Sequence, residues 1–355
     1  MSKKIKSVLK IFVVLITAVL VFAAMFIGWL SIREFKPDDV VTLEKYRNLT
    51  EEEYPSKNIK ILTFNIGYGN LNKDADSFLD GGKEVTSGDK YTVMENFAAI
   101  TAKLINIKAD VYFVQEIDEN SSRSFGINQK DSFANSIKGD SAFAQNYVCD
   151  FVPFPIPPIG KVNSGIMTLT EFKMEKAERI SLPCPFSWPV SAANLKRCLL
   201  VSHHDIEGTD KQLVLVNLHL EAYDNGEGKI AQTKMLWSIL EEEYAKGNYV
   251  IAGGDFNQTF PGSLEKFPIK NPELWTPGVL EESALPEGWQ YVYDDSVPTC
   301  RLLNQAYDPA SENTQHYVID GFIISPNVEL VSAKTLDCGF EFSDHNPVYM
   351  EIKLK

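Results

Sequence analysis

The sequence predicts an α/β domain that contains more than one β-sheet, preceded by one transmembrane helix. From Lys60 onward, short β-rich runs alternate with helical patterns, and no repeat period is present. Predicted strands outnumber predicted helices, which favours several sheets over one purely parallel, doubly wound sheet. An uncharged apolar run covers 11–30, and about 20 apolar residues are what a helix needs to span a bilayer.

The flanks of this apolar run predict its orientation. Residues 1–10 form a basic tail with four lysines, whereas the far flank mixes Arg33 and Lys36 with acidic residues. Because excess positive charge stays on the cytoplasmic side, 1–10 is predicted to be cytoplasmic and the main part of the chain extracytoplasmic. A cleaved signal peptide is the alternative, but the run is longer than the usual apolar core and no Ala-x-Ala site closes it. We therefore expect an uncleaved, single-pass signal anchor over 11–30.

Beyond the anchor, the chain divides into a linker and a domain. Residues 31–58 are predicted to form a stalk, since polar and acidic residues dominate from Pro37 onward. The domain is predicted to cover 59–355, because no shift in composition marks a further boundary.

Hydrophobic patterning locates the elements of this domain. Apolar runs of strand length predict strands over 59–64, 111–114, 165–169, 198–202, 213–218, 249–252, 318–324 and 348–352. Apolar residues at helical spacing predict helices over 91–107 and 229–244.

Charge and cysteine content restrict the function classes. The chain carries 34 basic and 48 acidic residues, a net charge of −14; six basic residues and one acidic residue lie in 1–36, which leaves 28 and 47, or −19, in 37–355. Such an excess argues against a broad basic surface for nucleic acid, but it does not exclude a nuclease with a small local site. The five cysteines are widely spaced and odd in number, so neither a zinc site nor a complete disulfide framework is predicted.

Polar side chains stand at the ends of the predicted strands. Some follow an apolar run and others precede one, so antiparallel pairing of the later strands would bring all of them to one edge. Each residue alone could be an ordinary turn or capping residue. Turns and caps do not, however, require all of these residues together. The set comprises four carboxylates, two amides and two histidines: Asn65, Glu116, His219, Asp255, Asn257, Asp320, Asp344 and His345.

These residue types favour metal-dependent phosphoester hydrolysis. The hard oxygen ligands Asn65, Glu116 and Asp344 suit Mg²⁺ or Mn²⁺, which leave coordination positions for water and a substrate phosphate. Two histidines remain for proton transfer and for stabilising charge on phosphoryl oxygens. No Gly-x-Ser-x-Gly or catalytic cysteine arrangement competes, and the His-Glu-x-x-His motif of zinc hydrolases is absent. The one close histidine pair, His203-His204, is interpreted as incidental, because adjacent residues of a strand point to opposite faces.

Six segments, in this order, resemble the endonuclease/exonuclease/phosphatase superfamily. They are Leu62-Thr63-Phe64-Asn65, Val114-Gln115-Glu116, Asn217-Leu218-His219-Leu220, Gly254-Asp255-Phe256-Asn257, Ile319-Asp320 and Ser343-Asp344-His345-Asn346-Pro347. The resemblance covers 59–355 and implies a four-layer α/β sandwich, in which two packed mixed sheets are flanked by helices. It also implies a Mg²⁺-dependent phosphoesterase site at one edge, with Glu116 as the metal-binding glutamate and Asn65 and Asp344 beside the same ion.

The resemblance further implies roles for five residues. Asp255 resembles the group that orients or deprotonates the attacking water, and Asn257 the amide that holds a phosphate oxygen. His345 would contact the phosphoryl group, with Asp320 fixing its tautomer and favouring its charged form. His219 resembles the histidine that protonates the leaving oxygen or stabilises the pentavalent state.

Three functions remain open. The first is an anchored phosphoesterase that acts on lipid head groups or small phosphodiesters at the bilayer. The second is an anchored extracellular nuclease, for which the net charge of −19 is unhelpful, although a metal ion supplies local positive charge. The third is a catalytically silent binding module on the same fold. Lipid-type substrates are slightly favoured, and no protein partner is implied.

Overall fold

A computed structural model describes residues 3–47 and 53–355. The helices are α1 (Lys3–Ile32), α2 (Lys90–Ile107), α3 (Gln129–Ser136), α4 (Glu227–Ala245) and α5 (Ser263–Lys266). The strands are β1 (Val40–Thr42), β2 (Lys45–Arg47), β3 (Asn58–Asn65), β4 (Val111–Asp118), β5 (Asp140–Val152), β6 (Gly160–Thr170), β7 (Lys176–Ser181), β8 (Cys198–Asp205), β9 (Gln212–His219), β10 (Tyr249–Asp255), β11 (Gln258–Thr259), β12 (Gly278–Val279), β13 (Gln290–Val292), β14 (Cys300–Arg301), β15 (His316–Tyr317), β16 (Asp320–Ile324), β17 (Val328–Thr335) and β18 (Val348–Leu354).

Two seven-stranded mixed sheets form the centre of the domain. The first has the strand order β1-β7-β8-β9-β10-β16-β13, and the second has the order β17-β18-β3-β4-β6-β5-β2. The pairs β9–β10 and β3–β4 are parallel, whereas β16 runs antiparallel to β10 and β18 antiparallel to β3. The antiparallel pairing expected for the later strands is therefore present.

Side chains of β9 show why the sheets pack in layers. Leu213 and Leu215 enter the core between the two sheets, whereas Val214, Val216 and Leu218 face the outer layer that contains α4. Successive residues of a strand point to opposite faces, so a strand that is apolar at every position is buried on both. On the second sheet, α2 and α3 cover the outer face in the same way. The four-layer α/β sandwich predicted above is confirmed.

The segment after α1 differs from the predicted stalk. Within 31–58, strand β1 pairs with β7 at the edge of the first sheet, and β2 pairs with β5 at the edge of the second. Val40 and Val41 are β-branched residues that suit an edge strand, and Leu43 packs against a buried cluster beneath them. Part of this acidic segment therefore extends both sheets. The predicted boundary at 59 remains a prediction, and 48–52 lie outside the described residues.

Helix α1 contains the predicted anchor. In the described part of the chain, it is the one helix that is long and apolar enough to cross a membrane, by length and composition, over Lys4–Ile32. The predicted span 11–30 lies inside it.

Candidate active site

The eight predicted residues meet at one edge of the sandwich. Asn65, His219 and Asp255 end β3, β9 and β10, which present their carboxyl ends at this edge. Asp320 begins the antiparallel strand β16 and lies directly opposite Asp255 in the ladder. The structure therefore brings the predicted groups together through strand direction and register.

Glu116 reaches the site through an irregularity in β4. The register between β4 and β6 shifts between Val114 and Ile117, and Glu116 has a left-handed φ of 54°. A bulge of this kind turns a side chain away from the regular alternation of a strand. Glu116 is consequently aimed into the cleft beside the neighbouring strand ends.

Asn65 lies at the centre of the cluster. Its side-chain nitrogen is 3.3 Å from Glu116 Oε1 and 3.1 Å from Asp255 Oδ2. The same nitrogen is 3.5 Å from His345 Nε2. Its amide oxygen accepts a hydrogen bond of 3.1 Å from the backbone N–H of Gly67, which holds the side chain in place.

Asp320 orients His345. His345 Nδ1 donates to Asp320 Oδ2 at 2.8 Å, which leaves Nε2 facing Asp255 Oδ2 at 3.8 Å. Burial lowers the pKa of His345, but the carboxylates of Asp320 and Asp344 outweigh it and hold that pKa well above its ordinary value. His345 is therefore a buried imidazolium with one face toward the cleft.

The pKa of His219 is shifted in the direction opposite to that of His345. Its Nε2 lies 3.4 Å from Asp255 Oδ2 and 4.0 Å from Glu116 Oε1. Burial, together with the positive charges of Arg197 and His345, holds the pKa of His219 well below its ordinary value. A neutral imidazole at this position is a hydrogen-bond donor through one ring nitrogen.

Buried carboxylates crowd the site. Burial and the neighbouring Asp320 raise the pKa of Asp255 to about 6. Burial also raises the pKa of Asp344 to about 7; His345 opposes that rise and Glu116 adds to it. In the part of the chain that the structure describes, the ion pairs of Glu116, Asp255 and Asp344 involve only the two histidines. Such a cluster of oxygen ligands fits a divalent cation.

A sulfur ligand does not complete this set. The ligand atoms of Cys300, Asp344 and His345 lie within 4.8 Å of one another. Burial raises the pKa of the metal-free Cys300 thiol to about 12, and its soft sulfur suits Mg²⁺ and Mn²⁺ less well than the neighbouring oxygens do. The donor set that remains is made of hard oxygens, which matches Mg²⁺ or Mn²⁺ better than softer metals.

Asn257 completes the polar wall. It has a left-handed φ of 51°, and its backbone N–H donates to Asp255 Oδ1 at 2.9 Å. Its side-chain nitrogen donates to the carbonyl of Leu220 at 2.9 Å, which engages one of the two amide hydrogens. The second hydrogen remains for another acceptor.

Three cleft residues were not among the predicted site residues. Arg197 is buried, with its Nε 3.7 Å from Glu221 Oε2, and it lies beside His219. Arg123 lies over the ring of Tyr68 at 3.8 Å and forms an ion pair with Asp118 at 3.0 Å. Tyr68 stands between two glycines three residues after Asn65, a signal visible in the sequence, whereas nothing in the sequence around Arg123 distinguishes it.

The site opens into a cleft of about 810 Å³. Six predicted residues line it: Glu116, His219, Asp255, Asn257, Asp344 and His345. Asn65 and Asp320 lie behind this wall and contact it through hydrogen bonds. The same cleft continues past an apolar surface that includes residues of α1.

Comparison with known proteins identifies the fold. No protein family model matches the chain. Tyrosyl-DNA phosphodiesterase 2 of Gallus gallus is 30% identical over 198 residues, which are 52% of this chain and 47% of that protein. The chain therefore spans about half the length of this curated relative.

Solved structures of similar fold cover more of this chain than the curated relative does. An endonuclease/exonuclease/phosphatase structure from Beutenbergia cavernae has a TM-score of 0.56 and 16% identity, covering 84% of this chain and 72% of that one. The corresponding protein of Bacteroides vulgatus has a TM-score of 0.53 and 15% identity, covering 84% and 100%. TDP2 of D. rerio, complexed with a single-strand DNA product, has a TM-score of 0.51 and 16% identity, covering 84% and 100%.

The fold and the site together define a class of protein, an α/β sandwich with carboxylates, amides and histidines where strands of both sheets meet at one edge. The chain has the fold of the endonuclease/exonuclease/phosphatase superfamily, so the fold implied by the resemblance of its six segments is confirmed.

Proposed function

We propose that this protein is a membrane-anchored, extracytoplasmic phosphoesterase that uses a divalent metal ion. One observation supports this proposal most strongly. At the polar end of the cleft, Asn65 contacts both Glu116 and Asp255, and a His345–Asp320 pair lies beside them. These groups supply, within one site, a base, an imidazolium and ligands for a cation.

Mg²⁺ is the proposed ion, with Mn²⁺ as its substitute. Glu116 and Asp344 would hold it through their carboxylate oxygens, and Asn65 would join them with its amide turned so that the oxygen faces Glu116. When bound, the ion would supply positive charge to phosphate oxygens and acidity to a coordinated water.

The chain's own residues have distinct proposed tasks in the hydrolysis. Asp255 accepts a proton from the attacking water, whose oxygen forms a bond to phosphorus while the bond to the leaving oxygen breaks. His345 contacts the phosphoryl oxygens as a cation, and Asn257 donates its second amide hydrogen to one of them. His219 donates a hydrogen bond to the pentavalent state, the role that its lowered pKa favours over general-acid catalysis. The leaving oxygen takes a proton from solvent, which balances the reaction.

The proposed location follows from charge and hydropathy. The tail 1–10 is basic and cytoplasmic, 11–30 spans the bilayer once as an uncleaved signal anchor, and the catalytic domain lies outside. The proposed substrate is a phosphodiester or a phosphomonoester, with lipid head groups ahead of nucleic acid. A net charge of −19 over 37–355 supports this order, because a nucleic acid carries a dense negative charge.

Nucleic acid is the second candidate substrate. The observation that favours it is the likeness to tyrosyl-DNA phosphodiesterase 2, one structure of which is complexed with a single-strand DNA product. Parallel assays on single-stranded DNA and on phospholipid vesicles distinguish the two candidates.

Metal removal tests the proposed function. The full chain, purified in detergent micelles, is assayed on the soluble diester bis-para-nitrophenyl phosphate. We expect EDTA to abolish turnover and added Mg²⁺ to restore it, because the crowded carboxylates need the cation to bind a phosphate. Turnover that survives complete chelation refutes the metal assignment. No turnover under any metal condition favours the silent binding module instead.

A further inference from the structure

One face of α1 forms part of the cleft wall. Ala23, Phe26, Ile27 and Leu30 line the same cleft as the catalytic groups, and their spacing of three and four residues places them on one side of the helix. These four are partly or fully buried, whereas Ala24 and others on the remaining faces are exposed. One face of the helix that contains the anchor therefore lines the cleft.

Specific contacts fix the end of α1 against the domain. Leu30 is buried in a cluster with Tyr147 and Val152 of β5. Phe26 meets the ring of Phe151 edge to face at 6.1 Å. Past the helix, Arg33 pairs with Asp150 at 2.6 Å and Glu34 with Lys196 at 2.9 Å. These contacts hold α1 in one position relative to β5 and the catalytic domain.

Two uncharged loops extend the apolar surface around α1. Neither 151–160 nor 183–195 contains a charged residue. Several of their large side chains face solvent: Ile156 is 94% exposed, Phe154 67% and Trp188 65%. Trp188 Nε1 donates to Ser31 Oγ at 2.9 Å, at the outer end of α1. Tryptophan is enriched at this level of a bilayer, where its ring contacts both lipid and water.

The depth of these residues follows from helix geometry. With Lys10 at the cytoplasmic boundary and a rise of about 1.5 Å per residue, Ala23 lies about 20 Å and Leu30 about 30 Å into the bilayer. The hydrocarbon core is about 30 Å thick. The cleft face of α1 therefore lies in the outer half of the bilayer, and the two uncharged loops lie at the same level. We call this surface, formed by Ala23, Phe26, Ile27 and Leu30 of α1 and by the loops 151–160 and 183–195, the apolar collar.

We propose that α1 is a wall of the substrate site as well as an anchor, and that the substrate is a membrane phospholipid of the outer leaflet. Its phosphate would reach the polar end of the cleft while its hydrocarbon stays against the apolar collar, so that it enters sideways from the bilayer. This inference rests on the phosphoesterase activity proposed above.

Two adjacent alanines allow a matched test. Ala23→Phe adds a ring to the cleft face of α1, whereas Ala24→Phe adds the same ring at the same depth on an exposed face. The full-length variants are reconstituted in vesicles of phosphatidylglycerol, phosphatidylcholine and sphingomyelin in equal parts, and released water-soluble products are measured by mass spectrometry. We expect Ala23→Phe to lower phospholipid turnover about tenfold through overfilling of the apolar end. Ala24→Phe should retain the wild-type rate.

Two results would overturn the inference. One is an equal effect of the two variants on phospholipid turnover, and the other is no phospholipid turnover by a wild-type chain that does hydrolyse single-stranded DNA or bis-para-nitrophenyl phosphate. Turnover of bis-para-nitrophenyl phosphate in the same samples distinguishes failure of the lipid inference from failure of the proposed phosphoesterase function. If the wild-type chain cleaves this soluble diester but no lipid, only the lipid inference fails. If it cleaves neither, the proposed phosphoesterase function fails first.

Discussion

The two ends of the cleft are built in different ways. The polar end gathers residues from distant parts of the chain, from Asn65 to His345, where strand ends of both sheets meet at one edge of the sandwich. The apolar end is made of two loops and one helix whose positions depend on packing between them. The first arrangement supplies polar groups aligned by the ends of paired strands, and the second supplies a surface without directional bonds. A phosphoester with a hydrocarbon tail is divided in the same way, into a polar phosphate and an apolar chain.

The largest expected effect belongs to the polar end. Asp255→Asn removes the proposed base while it preserves the size of the side chain, so turnover of bis-para-nitrophenyl phosphate should fall by about 10³-fold. The matched control is Asp210→Asn, since Asp210 is an exposed aspartate far from the cleft. Initial rates at saturating Mg²⁺ check this prediction. Equal rates in the two variants would remove Asp255 from the mechanism.

A smaller effect is expected for Asp320, whose carboxylate contacts the cleft through His345. Asp320→Asn removes the charge that holds the pKa of His345 high. That pKa should fall, so the positive charge of His345 is lost at a lower pH than in the wild type. We expect turnover about 10²-fold lower at pH 8 and a smaller deficit at lower pH. A pH–rate profile distinguishes this outcome from a uniform loss at every pH, which would assign Asp320 a purely structural role.

At the apolar end, a single charge should have a moderate effect. Ile156→Asp places a carboxylate on the apolar collar, where insertion of an aspartate into hydrocarbon is costly, and phospholipid turnover in vesicles should fall about tenfold. Val331→Asp is the control, because Val331 is also exposed but lies on β17. If both variants lower phospholipid turnover equally, the collar does not contact the bilayer.

The last prediction concerns stability rather than turnover and lies outside both ends. His204 is buried on β8, where Nδ1 donates to the carbonyl of Lys173 and Nε2 accepts from Ser202, and burial lowers its pKa to about 3. Because the unfolded chain binds this proton near pH 6.5, stability present above that pH is lost as the pH falls. From pH 7.5 to 5, this amounts to ~2 kcal/mol in the free energy of unfolding.

His204→Gln tests that assignment. The variant lacks the titrating group, so its free energy of unfolding should depend less on pH over this range. Denaturant unfolding of the full chain in micelles at several pH values measures the difference. An unchanged pH dependence would place the acid sensitivity elsewhere.

Much of the polar end was predictable from sequence. Residues at strand ends appear as isolated polar groups after apolar runs, and the ladder partner of Asp255 is the predicted Asp320. Arg123 was not predictable, because its position depends on the loop after β4. The irregularity that turns Glu116 into the cleft also has no sequence signal of its own.

Other parts of the fold escaped prediction for physical reasons. Strand β5 has 13 residues, but its buried positions include Asp140, Ser141 and Asn146, so no apolar run marks it. Strands β1 and β2 are short edge strands within an acidic segment, and their pairing partners lie more than ninety residues away. The docking of α1 depends on loops whose composition indicates only that they are uncharged.

The most direct test of the central claim follows oxygen through the reaction. The wild-type chain hydrolyses bis-para-nitrophenyl phosphate with Mg²⁺ in oxygen-18 water, and mass spectrometry locates the label. Attack of water on phosphorus predicts one labelled oxygen in the phosphate monoester product, none in the released nitrophenol, and about 10³-fold less product with Asp255→Asn. Label in the nitrophenol, or equal product from the Asp255→Asn variant, would contradict a site that activates water for attack on phosphorus.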